Sequence, residues 1–204
     1  MQASGPHLTA DNLACRRGER LLFRRLSFRL EAGAACHVTG ANGAGKTTLI
    51  RAVAGLTTPF AGEVRREGAL ALLEERGGLD PDLPLGRALA FWFALDGAAD
   101  PQAIMTRLRL EPLAEVPVRY LSTGQRKRAA LARVLGQGAS VWLLDEPLSG
   151  LDTASQGLVS ELVREHCAGG GIALIASHQP LDVPGMTRFA IEDFAPAEAE
   201  DEDA

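Results

Sequence analysis

Apolar positions along the chain switch between two spacings, short buried runs of strand type and longer stretches of helical type, which is the pattern of an α/β protein. Residues 26–30, LSFRL, alternate strictly, so Leu26, Phe28 and Leu30 are predicted to share one face of a strand. Glu31-Ala32-Gly33 turns the chain into AACHVT (34–39), a short apolar run of buried-strand type. A glycine-rich loop separates that strand from KTTLIRAVAG (46–55), a helix that Gly55 stops. TTPFAG (57–62) has turn chemistry, and EVRR (63–66) and ALALL (69–73) are short strand candidates.

Between residues 79 and 119 the texture changes. DPDLPLG is a breaker cluster, after which GRALAFWFALDG (86–97) and DPQAIMTRLRLEPL (100–113) both look helical. Asp100 is the N-cap of the second, with Pro101 in its first helical position. These segments form a helical insertion within the α/β core. Ser122 opens a further helix that runs to Gln137, with Gln125 spaced to complete a capping box. SVWLL (140–144) is a buried strand, and Asp152 caps a helix that runs to about Cys167 before Gly169-Gly170-Gly171 breaks it. IALIAS (172–177) is another buried strand.

Composition narrows the picture. The chain has 204 residues, 46% hydrophobic and 23% charged, which is the balance of an ordinary globular domain with a core that needs neither disulfides nor metals. Its formal net charge of −5 argues against a nucleic-acid-binding surface over the whole domain. Six of the 26 acids lie in the last dozen residues, 193–204, a solvated tail predicted to be disordered. The uncharged stretches 32–45 and 168–181 are too short to span a bilayer, and residues 1–12 lack the order of a signal peptide. Cys15, Cys36 and Cys167 are odd in number and without metal spacing, as expected of free thiols in a reducing cytosol.

Three segments carry chemistry. Gly40-Ala41-Asn42-Gly43-Ala44-Gly45-Lys46-Thr47, followed by Thr48, fits G-x-x-x-x-G-K-[ST] between a buried strand and a helix. Such a loop turns successive N–H groups toward a polyphosphate, and the helix N-terminus adds partial positive charge. Lys46 would reach the β- and γ-phosphates, and the Thr47 hydroxyl would hold Mg²⁺. Of 21 basic residues only Lys46 and Lys127 are lysine, so a compact ammonium at the motif position is selective. Asp145 and Glu146 end the apolar run of residues 141–144, with Asp145 placed to hold the metal and Glu146 to polarise an attacking water. Leu121-Ser122-Thr123-Gly124-Gln125 opens a helix with an exposed N-terminus, a second anion site without a lysine of its own.

In that order on one chain, these segments resemble the nucleotide-binding subunit of an ABC transporter over residues 8–192 or so. LSTGQ is similar to the family's signature motif, Leu148-Ser149-Gly150-Leu151-Asp152 resembles its D-loop, and His178 resembles its switch histidine. The resemblance implies a P-loop NTPase fold with an ABC-type ATPase core: a mixed sheet flanked by helices, with an antiparallel β edge. It also implies one ATP-binding domain over residues 1–192, with a small helical subdomain at about 79–137. Two copies would pair head to tail, each ATP lying between the phosphate loop of one and Ser122, Gly124 and Gln125 of the other, with Glu146 and His178 as catalytic residues. The LSTGQRKRAALARV run, LDEPLSGLD and the opening NLACRRGERLLFRRLSF resemble the haem exporter ATP-binding subunit of bacterial cytochrome c maturation. That family implies integral membrane partners and a peripheral place on the cytoplasmic face of the inner membrane. It also implies contact with haem only through those partners, since His7, His37 and His166 are scattered and no Cys-x-x-Cys-His occurs.

The chain departs from the family pattern in three places. Register puts Arg17 where an aromatic usually stacks on adenine, and a guanidinium can also lie on a π face. Arg76 falls at a glutamine that usually touches the metal, and arginine has no lone pair to offer one. Lys46 and Ser122 are 76 residues apart, a short spacing that trims the helical insertion. Two other readings remain at this level: the ATPase of a different ABC transporter, and a non-hydrolytic ATP-binding switch that scaffolds membrane partners. A soluble ABC ATPase of DNA repair or translation needs two such domains or a long coiled coil, and neither fits this length.

Overall fold

The computed structural model describes residues 5–74 and 78–196. Its elements run β1 (His7–Arg17), β2 (Arg20–Glu31), β3 (Ala35–Thr39), α1 (Lys46–Ala54), β4 (Ala61–Glu67), β5 (Leu70–Leu73), α2 (Leu85–Asp96), α3 (Pro101–Arg107), α4 (Thr123–Gly136), β6 (Val141–Asp145), α5 (Thr153–Ala168), β7 (Ile172–Ala176) and β8 (Thr187–Ala190). A 3-10 turn, Ile191–Phe194, follows β8.

Two sheets share the work. Strands β5, β6, β7, β3 and β8 form a five-stranded parallel sheet in that order, and β2, β1 and β4 form a separate antiparallel sheet. Every residue of β6 and β7 is buried, as expected of central parallel strands covered on both faces. One core lies between the two sheets, where Leu8, Leu13 and Phe23 meet Leu49 and Ile50 of α1 and Val38 of β3. The other lies on the far face, where Trp142, Leu144 and Ile175 meet α4, α5 and the helices between β5 and β6.

Register positions the loops that matter. Val38 pairs with Ala176, and Ala176 pairs with Asp145, so the carboxyl ends of β3, β7 and β6 stand on one rung. The segments that follow these strands leave from a common edge, the usual place for a ligand site in a parallel sheet.

Most predicted elements are present, with three differences. Residues 100–113 were expected to form one helix, but α3 ends at Arg107, Arg109 turns left-handed at φ 53°, and Glu111–Leu113 is a separate 3-10 turn. Pro112 explains the break, since inside a helix its ring would strike the carbonyl of Leu108 and it donates no hydrogen bond. β1 has no clear alternation because a bulge at Asn12 (φ 49°) shifts its register between Ala10 and Leu13. β8 is four residues long, too short to stand out from the surrounding turns. Of the acidic tail, residues 197–204 lie outside the described residues, and Asp193 and Phe194 close the last 3-10 turn.

A half-buried histidine packs against the second core at Trp142. The His166 ring stacks on Trp142 with centroids 3.9 Å apart and planes 7° from parallel, and its Nε2 donates to the Ile172 carbonyl at 3.2 Å. Burial drives its pKa below the ordinary 6.5, against the opposing pull of carbonyl hydrogen bonds. Below that value the unfolded chain takes up a proton that the folded ring refuses, so the fold loses stability as pH falls from 6.5 through the depressed pKa. Urea unfolding midpoints should therefore drop between about pH 7.5 and about pH 5.5. In His166→Phe, which keeps the stack, the drop should be smaller.

Candidate functional site

The phosphate-type loop spans the gap between β3 and α1. Gly45, the N-cap of α1, has φ 115°, and a Cβ there would come within 3.2 Å of the Phe23 ring, so the loop can enter the helix this way only with glycine. Ala41, Asn42 and Gly43 are exposed along the crest of the loop, and Ala44 and Thr48 are half-buried. Lys46 is 6% exposed, and its Nζ donates to the carbonyls of Gly40 at 2.7 Å and Ala41 at 3.1 Å. The ammonium is thus tucked under the loop and stands 3.7 Å from Glu146 Oε1.

Asp145 ends β6 and is buried. Burial raises its pKa, while a hydrogen bond from the Thr47 hydroxyl and the nearby Lys127 charge oppose that rise. Its Oδ1 is buried with no hydrogen-bond partner. An orphaned carboxylate oxygen beside a threonine hydroxyl, at the edge of an anion-binding loop, is a donor set that fits a hard divalent cation such as Mg²⁺.

Glu146 follows in a left-handed conformation at φ 46°, with its N–H bonded to the Ala176 carbonyl at 2.8 Å. That strained turn swings its carboxylate back over the sheet edge, where Oε2 meets His178 Nδ1 at 2.9 Å. The acid and the histidine, 32 residues apart in sequence, therefore form one hydrogen-bonded pair that faces Lys46. A carboxylate held by an imidazole next to a phosphate loop can orient a water and accept its proton.

Ser122, Gly124 and Gln125 form a second surface. The Ser122 hydroxyl accepts from the Gln125 N–H at 3.2 Å, and the Gln125 side chain accepts from the Ser122 N–H at 2.8 Å, so the capping box is complete. Gln125 is committed to the cap. A Cβ on Gly124 would lie 2.8 Å from the Gly150 carbonyl, so this glycine also lets the LSTGQ and LSGLD segments pack together.

Other residues fall where the motifs did not point. Arg17 ends β1 and pairs with Arg20 across the hairpin, yet Arg20 and Leu22 line the hollow beside residues 41–44. Glu192 accepts a short hydrogen bond from the Ala41 N–H. Nothing local in sequence announces that contact, since the two residues are 151 positions apart. Gln156 Nε2 donates to the Leu151 carbonyl at 3.2 Å and to Gln179 Oε1 at 3.1 Å, which joins the LSGLD loop to the residue after His178. Arg76 lies outside the described residues.

A family model described as ABC transporter matches residues 23–149, more than half of the chain. The chain belongs to the ABC transporter family. It is 54% identical over 196 residues to the cytochrome c biogenesis ATP-binding export protein CcmA of Novosphingobium aromaticivorans, covering 96% of this chain and all of that one. Against the protein of the same name from Zymomonas mobilis it is 48% identical, with 92% of this chain and 85% of that one covered. Among solved structures, an ATP-binding protein of an ABC transporter from Pyrococcus furiosus has the same fold. It superposes with a TM-score of 0.79 at 22% identity, covering 93% of this chain and 100% of the other. An inward-facing metal-chelate type ABC transporter gives a TM-score of 0.76 at 23% identity, with 91% and 80% covered. As an ABC transporter ATP-binding domain, this chain binds nucleotide and is an ATPase, and no helix among the described residues is long and apolar enough to cross a membrane.

The orphaned Asp145 oxygen gives a direct test of the site's electrostatics. Asp145→Asn removes a buried charge while leaving an acceptor for Thr47, so it should raise the melting temperature of the nucleotide-free chain by about 2–4 °C, the equivalent of about 1 kcal/mol at this size. The same variant should lose the extra stabilisation that Mg²⁺ adds to ATP binding. Differential scanning calorimetry with and without Mg²⁺ and ATP measures both.

Proposed function

We propose that the chain is the ATP-hydrolysing subunit of an export complex that serves cytochrome c biogenesis, working as a pair of copies on the cytoplasmic face of a bacterial inner membrane. Integral membrane subunits would handle the cargo, with haem reaching this chain only through them. The relatives named for cytochrome c biogenesis, matched over nearly their full lengths, support the biological setting. The observation that carries the chemistry is the Glu146–His178 pair at 2.9 Å, placed 3.7 Å from the phosphate-loop lysine.

On this reading the N–H groups of residues 42–48 and the Lys46 ammonium cradle the phosphates. Lys46 exchanges its carbonyl partners Gly40 and Ala41 for phosphate oxygens. Glu146 orients a water against the γ-phosphorus and accepts its proton as the new P–O bond forms and the bond to the β-phosphate oxygen breaks, leaving ADP and inorganic phosphate. His178 holds the Glu146 carboxylate in line and would itself contact the γ-phosphate. Thr47 and Asp145 would hold Mg²⁺, which, when bound, neutralises charge on the β- and γ-oxygens. Ser122 and Gly124 of the second copy close over the nucleotide with the helix N-terminus of α4.

Lys46→Ala should abolish ATP turnover. Glu146→Gln keeps the size and a hydrogen-bonding oxygen but cannot take the proton, so it should bind ATP, fail to hydrolyse it, and accumulate as a dimer. Analytical ultracentrifugation with saturating ATP and Mg²⁺ reads this directly. A Glu146→Gln chain that stays monomeric with nucleotide bound would overturn the paired mechanism.

A further inference from the structure

β3 is buried along nearly its whole length, and within it His37 is 4% exposed, the one nitrogen-bearing side chain in a strand whose other side chains are apolar, thiol or hydroxyl. Its Nε2 lies 3.0 Å from the carbonyl oxygen of Ser177, which can only accept, so that nitrogen carries the proton. Ser177 is fully buried and is tied twice more: its N–H donates to the Val38 carbonyl at 3.2 Å, and its hydroxyl accepts from the Gln179 N–H at 3.0 Å. The next residue is His178, whose Nδ1 meets Glu146. The strand that launches the phosphate loop therefore also grips the backbone that presents the switch histidine.

We propose that His37 is a positioning residue for hydrolysis: its Nε2–H holds the Ser177 carbonyl and through it fixes where the His178 imidazole meets Glu146. The proposal rests on Glu146 and His178 acting as argued above. An apolar side chain at position 37 would leave the Ser177 carbonyl buried without its ring donor, and the backbone would shift to recover a partner. The shift has room to occur, because His37 and His178 line one hollow together with Thr39 and Arg188. Burial lowers the His37 pKa below the ordinary 6.5 and the nearby Arg188 and Lys46 charges act in the same direction, against the pull of the Ser177 carbonyl and the Glu146 carboxylate.

Steady-state hydrolysis by the full chain, at concentrations where Glu146→Gln dimerises with ATP, separates positioning from mere packing. His37→Leu should lower kcat about tenfold and leave KM for ATP within about twofold, the pattern of an interaction that matters only in the transition state. His37→Gln, whose amide N–H reaches the position of Nε2, should restore kcat to within about threefold of the parent. In a His178→Ala background, His37→Leu should cost nothing further, because the two residues act as one unit. If His37→Leu fails to fold, His37→Asn, polar but one methylene too short to reach the carbonyl, carries the same expectations. An equal fractional loss in the His178→Ala background, a change confined to KM, or an unchanged kcat overturns the role of His37. A His178→Ala chain with normal turnover overturns the catalytic assignment itself, and the proposal with it.

Discussion

A buried ammonium organises this molecule. Lys46 sits at the first residue of α1 with almost no solvent contact, held by two carbonyls of its own loop and faced by the Glu146 carboxylate. A charge in that position costs desolvation free energy, and the chain offsets the cost by wrapping the loop around it and bringing β6 alongside β7 and β3. The left-handed turn at Glu146, the glycine N-cap of α1 and the orphaned Asp145 oxygen are all departures from the easiest local structure. They gather on one edge of the parallel sheet, which is where strain and unsatisfied charge are expected when a site is built for a ligand that arrives later.

Composition and burial agree on what the two lysines are for. Nineteen of the 21 basic residues are arginine, yet Lys46 and Lys127 are the cations that the described residues bury. Arginine suits the exposed surface, where a planar fork meets carboxylates and carbonyls, whereas a compact ammonium fits beneath a tight loop. Lys127 lies on α4 and bears electrostatically on Asp145, so the signature-type helix and the metal-type carboxylate already sense each other within one chain.

Much of this was legible from sequence because the informative signals were local. The glycine spacing of residues 40–45, the capping box of Ser122 and Gln125, the Asp152 cap and the apolar runs of β3, β6 and β7 each depend on neighbours a few positions away. Contacts set by register across the sheet were not legible. That Glu146 pairs with His178, that Glu192 reaches the phosphate loop and that Gln156 joins Gln179 to Leu151 all follow from which strands lie side by side. His37 shows the boundary well. Its presence in a buried strand was visible in AACHVT, but its partner is the residue just past β7, 140 positions away. Pro112 was visible too, yet the apolar spacing around it outweighed the break it imposes.

The central claim is that nucleotide is clasped between the phosphate loop of one copy and the Ser122 helix of another. The three native cysteines are buried, so new surface thiols can be read against a quiet background. The direct measurement mixes one Glu146→Gln chain carrying Asn42→Cys with another carrying Ser122→Cys, adds a short thiol-reactive cross-linker, and follows covalent dimer by mass. The account predicts a mixed dimer that forms with ATP and not without it. Cross-linking inside a single chain that carries both cysteines at high dilution, or no mixed dimer while ATP is demonstrably bound, would contradict it.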